Sequence, residues 1–427
     1  MPQKLKVLVV GQTPPPFGGQ SIMIERFIRT ELQDVTLLHA RMGFSNHMNE
    51  VGRVRLYKVL HLFTLIAKIY FYRIFHGVRI LYYPPAGPDR VPMYRDLAIL
   101  LATRWLFAKT IFHFHAGGLS ELYDRLPRWQ RWLFRRAYYD ADAAIRISEL
   151  TPEDGKLLEC QREFVVPNGI DDPNPLHSLP LTGIEVTESR PLRILFVGIL
   201  RESKGLLVLV EACGLLAARG VPFRLEVMGQ PHTEEFVALV RRRIDELQIR
   251  DQVNFLGVLT GDQKFAAYAR ADVFCMPSFF NCETFGIVFL EAMAFGLPVV
   301  ATRWRGIPSI VDEDETGFLV DIHDSESVAD RLTRLAVDDE LWHRMSLAAR
   351  RKFEREYTWP RHAARMRQAL LATAGIAVRV EPTSTPVFSI PADQRARYVP
   401  PHYRSHGREA EQHSEPVRRE PQLNGKP

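Results

Sequence analysis

Apolar residues along this chain fall in short runs of three to six, separated by longer stretches with helical spacing. In the first half the runs are Leu5–Val10, Val35–Leu38, Ile80–Tyr83, Thr110–His115 and Phe164–Val166. In the second they are Arg193–Val197, Phe223–Met228, Val253–Leu256, Val273–Met276 and Pro298–Ala301. They are rich in Val, Ile, Leu and Phe and do not alternate cleanly with polar residues. That pattern predicts strands buried on both faces, as in a parallel sheet. Strand–helix alternation, twice over, predicts an α/β protein of two Rossmann-like, doubly wound domains facing a cleft.

The polar stretch from Asp171-Asp172-Pro173 to Arg190-Pro191 reads as a linker. It separates an N-terminal domain over 1–172 from a C-terminal domain over 190–357. Thr358-Trp359-Pro360 has the form of an N-cap followed by an early-turn proline, which predicts a helix over 358–374. Residues 379–427 are rich in Pro, Arg, Glu and His with few aliphatics, and are expected to be a disordered tail. Residues 51–79 hold six Lys or Arg and no Asp or Glu among many Leu, Ile, Phe and Tyr. Lys68 and Arg73 interrupt the apolar run, which makes it a poor transmembrane span. Two readings remain: a helix packed on the sheet with snorkelling cations, or an amphipathic helix lying on an anionic membrane.

Composition narrows the class. At 427 residues two domains are the natural division, and 46% hydrophobic with 25% charged residues is ordinary for a globular protein. The four cysteines, Cys160, Cys213, Cys275 and Cys282, form no C-x-x-C pair and suggest neither a disulfide framework nor a zinc knuckle. Their number fits a reducing compartment. The N-terminus lacks a secretory h-region, so a cytoplasmic location is expected. The net charge of +5 is uneven: residues 1–163 carry 23 Lys+Arg against 15 Asp+Glu. A basic first half suits an anionic acceptor, a phosphorylated lipid or peripheral contact with the inner face of a membrane. No nucleic-acid motif accompanies it, and no nucleic-acid partner is expected.

Candidate chemistry concentrates in PSFFNCETFGIVFLEAMAFGLPVVAT, residues 277–302. A loop from Pro277 to Thr284 leads into a helix predicted from about Phe285 to the C′ residue Gly296. Glu283 belongs to the strand-to-helix loop, at the sheet edge where ligands bind in such folds. Glu291 lies six residues beyond Phe285, about 9 Å along a helix axis. Free N–H groups near Phe285, Gly286 and Ile287 make an anion site between the two acids. Glu291 could instead be a helix-surface residue, yet its neighbours Phe289, Leu290, Ala292 and Met293 are apolar, and a carboxylate among them needs a partner. A second loop, after Gly198, holds Arg201 and Lys204, two cations suited to a leaving diphosphate. Surface cations in loops are otherwise simply solvated. Gly18-Gly19 opens a helix after the first strand without a G-x-G-x-x-G fingerprint, which argues against an NAD site. It is also compatible with an ordinary turn. In IFHFHAGG, His113 and His115 share one face of a strand, and His115 sits at its C-terminal end.

At these residues the chain resembles the retaining glycosyltransferases of family 4, with the GT-B fold, over roughly residues 5–373. The matching motifs are Glu-x7-Glu at Glu283 and Glu291 within E-T-F-G-x-x-x-x-E-A-M-A, V-P-N-G-I-D at Val166–Asp171, G-x-x-x-x-x-K-G at Gly198–Gly205, and Gly18-Gly19. The resemblance implies that Glu283 contacts the donor sugar and Glu291 the ribose. It implies that Arg201 and Lys204 hold the diphosphate and His115 lies beside the sugar. Gly18 and Gly19 would close on the donor phosphates, and the backbone at Val258 would meet the base. The last helix would cross back onto the first domain. The family often has arginine directly after the glycine, where this chain has Ile199, and Arg201 follows two residues later. The co-substrate implied is a UDP- or GDP-linked sugar, with no metal and no other cofactor. The acceptor expected is a glycan or a polyprenyl-diphosphate-linked glycan, in cell-surface polysaccharide or glycolipid synthesis. Alternative functions are a sugar-nucleotide epimerase on the same fold and a non-catalytic nucleotide-sugar-binding or membrane-scaffold protein.

Overall fold

Among the described residues of a computed structural model, 4–15, 18–44, 56–175, 184–281 and 283–377, twelve strands form two six-stranded parallel sheets. The first lobe contains β1 (Leu5–Gly11), α1 (Gly19–Arg29), β2 (Val35–Arg41), α2 (Leu56–Phe75), β3 (Ile80–Tyr83), α3 (Arg90–Thr103), β4 (Lys109–Phe114), α4 (Arg128–Tyr138), β5 (Ala143–Arg146), α5 (Asp154–Leu157) and β6 (Glu163–Val165). The second contains β7 (Leu192–Val197), α6 (Leu206–Ala218), β8 (Phe223–Met228), α7 (Glu234–Glu246), β9 (Val253–Gly257), α8 (Gly261–Arg270), β10 (Val273–Met276), α9 (Ile287–Ala294), β11 (Val299–Thr302), β12 (Gly317–Val320), α10 (Ser325–Val337) and α11 (Asp339–Lys352). A last helix, α12 (Trp359–Thr373), follows. The two doubly wound sheets read from the sequence are present. Two of their strands, β5 and β12, have no counterpart among the predicted runs. The proposed tail and part of the linker, 176–183, fall outside the described residues.

Strand order is β2-β1-β3-β4-β5-β6 in the first sheet and β12-β11-β10-β7-β8-β9 in the second. The second order reverses direction between β7 and β10, and such a switch point opens a crevice at the carboxyl ends of the strands. Both faces of the first sheet are covered, because successive side chains point oppositely. Leu8, Val10, Leu81, Tyr83, Phe112 and Phe114 pack beneath α2, α3 and α4. Val7, Val9, Ile80, Tyr82 and Ile111 pack with α1 and α12.

The final helix belongs by packing to the first lobe although it follows the second in sequence. Trp359, Ala363, Met366 and Leu370 recur at helical spacing and are buried in the first lobe's core. The Trp359 amide donates to the Ile170 carbonyl at 2.7 Å, and its indole N–H donates to Thr30 Oγ1 at 3.1 Å. Two residues beyond Ile170, at the start of the linker, Asp172 Oδ1 accepts from Arg350 of α11 at 2.9 Å.

Candidate functional site

The loops after β7 and β10, the two strands flanking the switch point, are clamped together. Gly205 has φ +80°, and a Cβ there would come within 2.0 Å of the Pro277 carbonyl oxygen. Only glycine permits both the conformation and the approach. The Phe279 amide donates to the Ser203 carbonyl at 2.8 Å, tying one loop to the other. This contact brings the chemistry of both loops to one place. Lys204 Nζ is ion-paired with Glu283, which is buried and also accepts from Ser278 Oγ at 3.1 Å. Arg201 and Lys204 both lie over the ring of Phe280, at 4.7 and 5.0 Å from its centroid. Arg201, two residues later than the family's usual arginine, thus reaches the same spot as Lys204.

Helix α9 begins at Ile287, two residues later than the pattern of apolar positions predicts. Gly286 is its N-cap, at φ +82°, with no side chain capping the helix. Phe285 lies outside the helix, buried edge-on against Tyr357 with ring centroids 5.8 Å apart. The correction has a steric cause: the backbone turns through a positive φ at Gly286, so the helical repeat starts only after it. The uncapped amino end of α9 therefore carries the partial positive charge of a helix N-terminus beside the Lys204–Glu283 pair.

Glu291, one turn into α9, is buried, and its partners are two residues the sequence reading did not single out. Lys264 Nζ is ion-paired with Glu291 Oε1, and the Tyr268 hydroxyl donates to Oε2 at 2.8 Å. Both come from α8, four residues apart and hence on one helix face. A lysine and a tyrosine at that spacing, one strand before an acid in an apolar helix, were the available signal.

The first lobe meets this edge at two points. Thr284 Oγ1 donates to the His115 carbonyl at 2.6 Å, across the two lobes. A Cβ on Gly19 would lie 3.8 Å from Ile287 Cδ1, so the amino ends of α1 and α9 come close together. Gly18 is the N-cap of α1, and its amide donates to Ser21 Oγ at 3.0 Å. His115 is buried just beyond β4 with its ring stacked on His113 at 3.9 Å. His113 is hydrogen-bonded to Tyr82, and the Nε2 atoms of both histidines have no partner among the described residues. Burial, with a smaller contribution from His362, pushes the His115 imidazole down to about 3, so it is neutral at physiological pH. Val258 stands apart from this cluster, exposed after β9 at the outer strand of the second sheet.

Two parallel doubly wound lobes in contact beyond the carboxyl ends of β4 and β10 have the GT-B architecture. Solved structures of that architecture align over nearly the whole chain. A glycosyltransferase of Rickettsia africae ESF-5 matches with TM-score 0.65 at 18% identity, covering 88% of this chain and 100% of its own. Anabaena HepE, solved in complex with UDP, matches with TM-score 0.64 at 17% identity over 86% of this chain and 100% of its own. Residues 184–352 match the family described as Glycosyl transferases group 1. The second lobe is thus similar to the group 1 glycosyl transferases over a stretch shorter than half of the chain. Among named relatives, Escherichia coli WcaL, provisionally named a colanic acid biosynthesis glycosyltransferase, is 31% identical over 292 residues, 66% of this chain and 66% of WcaL. The match thus spans just under two thirds of that relative's length. AmsK of Erwinia amylovora, an amylovoran biosynthesis glycosyltransferase, is 29% identical over 61% of this chain and 69% of AmsK.

Proposed function

We propose that the protein is a retaining glycosyltransferase. It moves a hexosyl group from a UDP- or GDP-linked sugar to a glycan or polyprenyl-diphosphate-linked acceptor, in the synthesis of a cell-surface polysaccharide. The observation that carries the reading is the uncapped N-terminus of α9 at the switch point, with Glu283 and Lys204 beside it and Glu291 one turn on. A diphosphate lying against that helix end would be met by its amides and by Arg201 and Lys204, which neutralise charge as the sugar–phosphate bond breaks. Glu283 would then hold the sugar hydroxyls and Glu291 the ribose, while the backbone at Val258 meets the base. Gly18 and Gly19 would close over the phosphates from the first lobe. His115, neutral and buried, would accept or donate a hydrogen bond at the sugar without adding charge. The departing diphosphate would take the acceptor's proton on the face it leaves, which gives retention at the anomeric carbon. Polysaccharide synthesis is supported by the names of the bacterial relatives WcaL and AmsK.

The test is incubation with UDP- and GDP-sugars, with and without a lipid-linked glycan acceptor. Release of nucleoside diphosphate only with acceptor, and an NMR anomeric configuration equal to the donor's, is the expected result. An isomerised donor sugar would replace this reading with an epimerase. Tight donor binding with no turnover on any acceptor would make the protein a non-catalytic binder.

A further inference from the structure

Helices α2, α3 and α4 form one layer over the first sheet, and the outer side of that layer carries an unusual surface. Helix α2 packs inward through Leu65 and Ile69, but its opposite face is equally apolar. Leu60, Phe63, Phe71, Ile74 and Phe75 stand exposed there, Phe63 at 65% and Phe75 at 73%. Lys68 flanks this stripe, and α2 contains no acid. On α4 the exposed face holds Trp129 and Trp132 between Arg128, Arg135 and Arg136, and this helix also contains no acid. Trp105, 70% exposed, joins the two regions. Its ring meets Tyr70 of α2 edge-on at 6.4 Å, and it lines the same cleft as Arg135 and Arg136 of α4. Arg135 has Glu159 as a partner at 3.3 Å; Arg128 and Arg136 have no ion pair among the described residues.

A monomer does not ordinarily leave so large an apolar patch in water. Three exposed tryptophans, ringed by arginines and next to an acid-free helix, match the headgroup zone of an anionic bilayer. There the indole sits at the boundary and the guanidinium meets phosphate. A protein partner is less well matched, because α2 and α4 bring no acid to the patch, and the nearby acids, Asp140 and Asp142 in the cleft and Glu159 on Arg135, are outnumbered by its cations Lys68, Arg128, Arg135 and Arg136. No described helix is long and apolar enough to cross a membrane, so the contact is peripheral. We propose that the outer face of α2 and α4, with Trp105 between them, docks the protein onto an anionic lipid surface. The inference deepens the lipid-linked acceptor of the proposed function, and lipid binding tests it without sugar transfer.

Flotation with vesicles of phosphatidylcholine and phosphatidylglycerol (3:1) is compared with phosphatidylcholine alone, at low and high salt. The unaltered chain should float with the anionic vesicles at low salt and be released by salt. W129S/W132S should lower the bound fraction at least tenfold, and each of R128E and R136E about fivefold or more, at ~1 kcal/mol per cation. These side chains are exposed, and an unchanged melting curve and an unchanged thermal shift with UDP will show that the fold and the donor site are intact. Failure of the unaltered chain to float, or equal flotation of W129S/W132S, overturns the proposal. So does a dimer without lipid that W129S/W132S converts to monomer, since the patch would then be covered by a second copy. Loss of sugar transfer with flotation intact would instead count against the enzymatic reading alone.

Discussion

At the scale of single residues, the site depends on buried charges that are each given a partner. Glu291 is the clearest case, enclosed by an apolar helix and held by Lys264 and Tyr268. Replacing Lys264 by methionine removes the cation while keeping the side chain's bulk, and leaves the carboxylate with one neutral donor. The expected cost is about 1–3 kcal/mol, read by urea unfolding; stability equal to the parent's would show that the pair contributes nothing. The buried histidines make a second, pH-dependent case. His115 is pushed down to about 3 and His362, buried against the first lobe, to about 4. Both are therefore neutral when folded, while the unfolded chain protonates them below about 6.5. The unfolded state binds the extra protons, so stability must fall as pH falls from about 6.5 toward 4, by up to about 1.4 kcal/mol per pH unit for each histidine. Replacing His362 by glutamine should flatten that slope, and an unchanged slope in denaturant titrations at pH 6.5, 5.5 and 4.5 would refute the assignment. The acids and cations were legible as residue types in motifs. The partners of Glu291 were not, because they lie 23 and 27 residues away and meet it only when α8 packs on α9.

At the scale of elements, the runs of Val, Ile, Leu and Phe marked the strands that are buried on both sides, and those were readable. The two strands without a predicted counterpart explain themselves. Strand β5 is Ala-Ala-Ile-Arg, too small and too charged to register as an apolar run, and its Arg146 is buried near Glu163 at 3.6 Å. Strand β12 is Gly-Phe-Leu-Val, only three apolar residues after a glycine whose Cβ would come within 2.0 Å of the Val299 carbonyl, so its apolar run is short and opens on a residue with low strand preference. Helix α2 was ambiguous because it is apolar all round, a pattern that in sequence does not say which side meets the core. The start of α9 was misplaced because a positive φ leaves no trace in periodicity. That turn makes Gly286 testable. A Cβ there would sit 2.7 Å from the Phe289 ring, in a conformation L-residues rarely adopt. Gly286→Ala should therefore destabilise the fold by about 1–3 kcal/mol and, under the proposed function, weaken by isothermal titration the binding of whichever of UDP and GDP the parent chain takes. Full stability with unchanged nucleotide binding would mean that α9 begins elsewhere.

At the scale of the whole molecule, the chain leaves its first lobe at Asp171 and returns to it at Trp359, so the lobes are stitched by two strands of connection. Ile170 and Thr358 lie side by side as an isolated parallel bridge. Trp359 is the knot: its indole bonds Thr30, Arg26 lies 4.5 Å above its ring, and its amide bonds Ile170. A side chain in that position stabilises the first lobe from outside its own stretch of sequence. Trp359→Ala removes the ring, the stacked arginine's partner and one hydrogen bond, at a cost of about 3–5 kcal/mol for a buried aromatic. The loss should be lopsided. Amides of β1 and β3, which share a core with α12, should exchange faster with deuterium, while those of β10 and β11 in the second sheet should keep their protection. Equal loss in both sheets would mean that the lobes open as one unit, and that the returning helix couples them rather than serving the first alone.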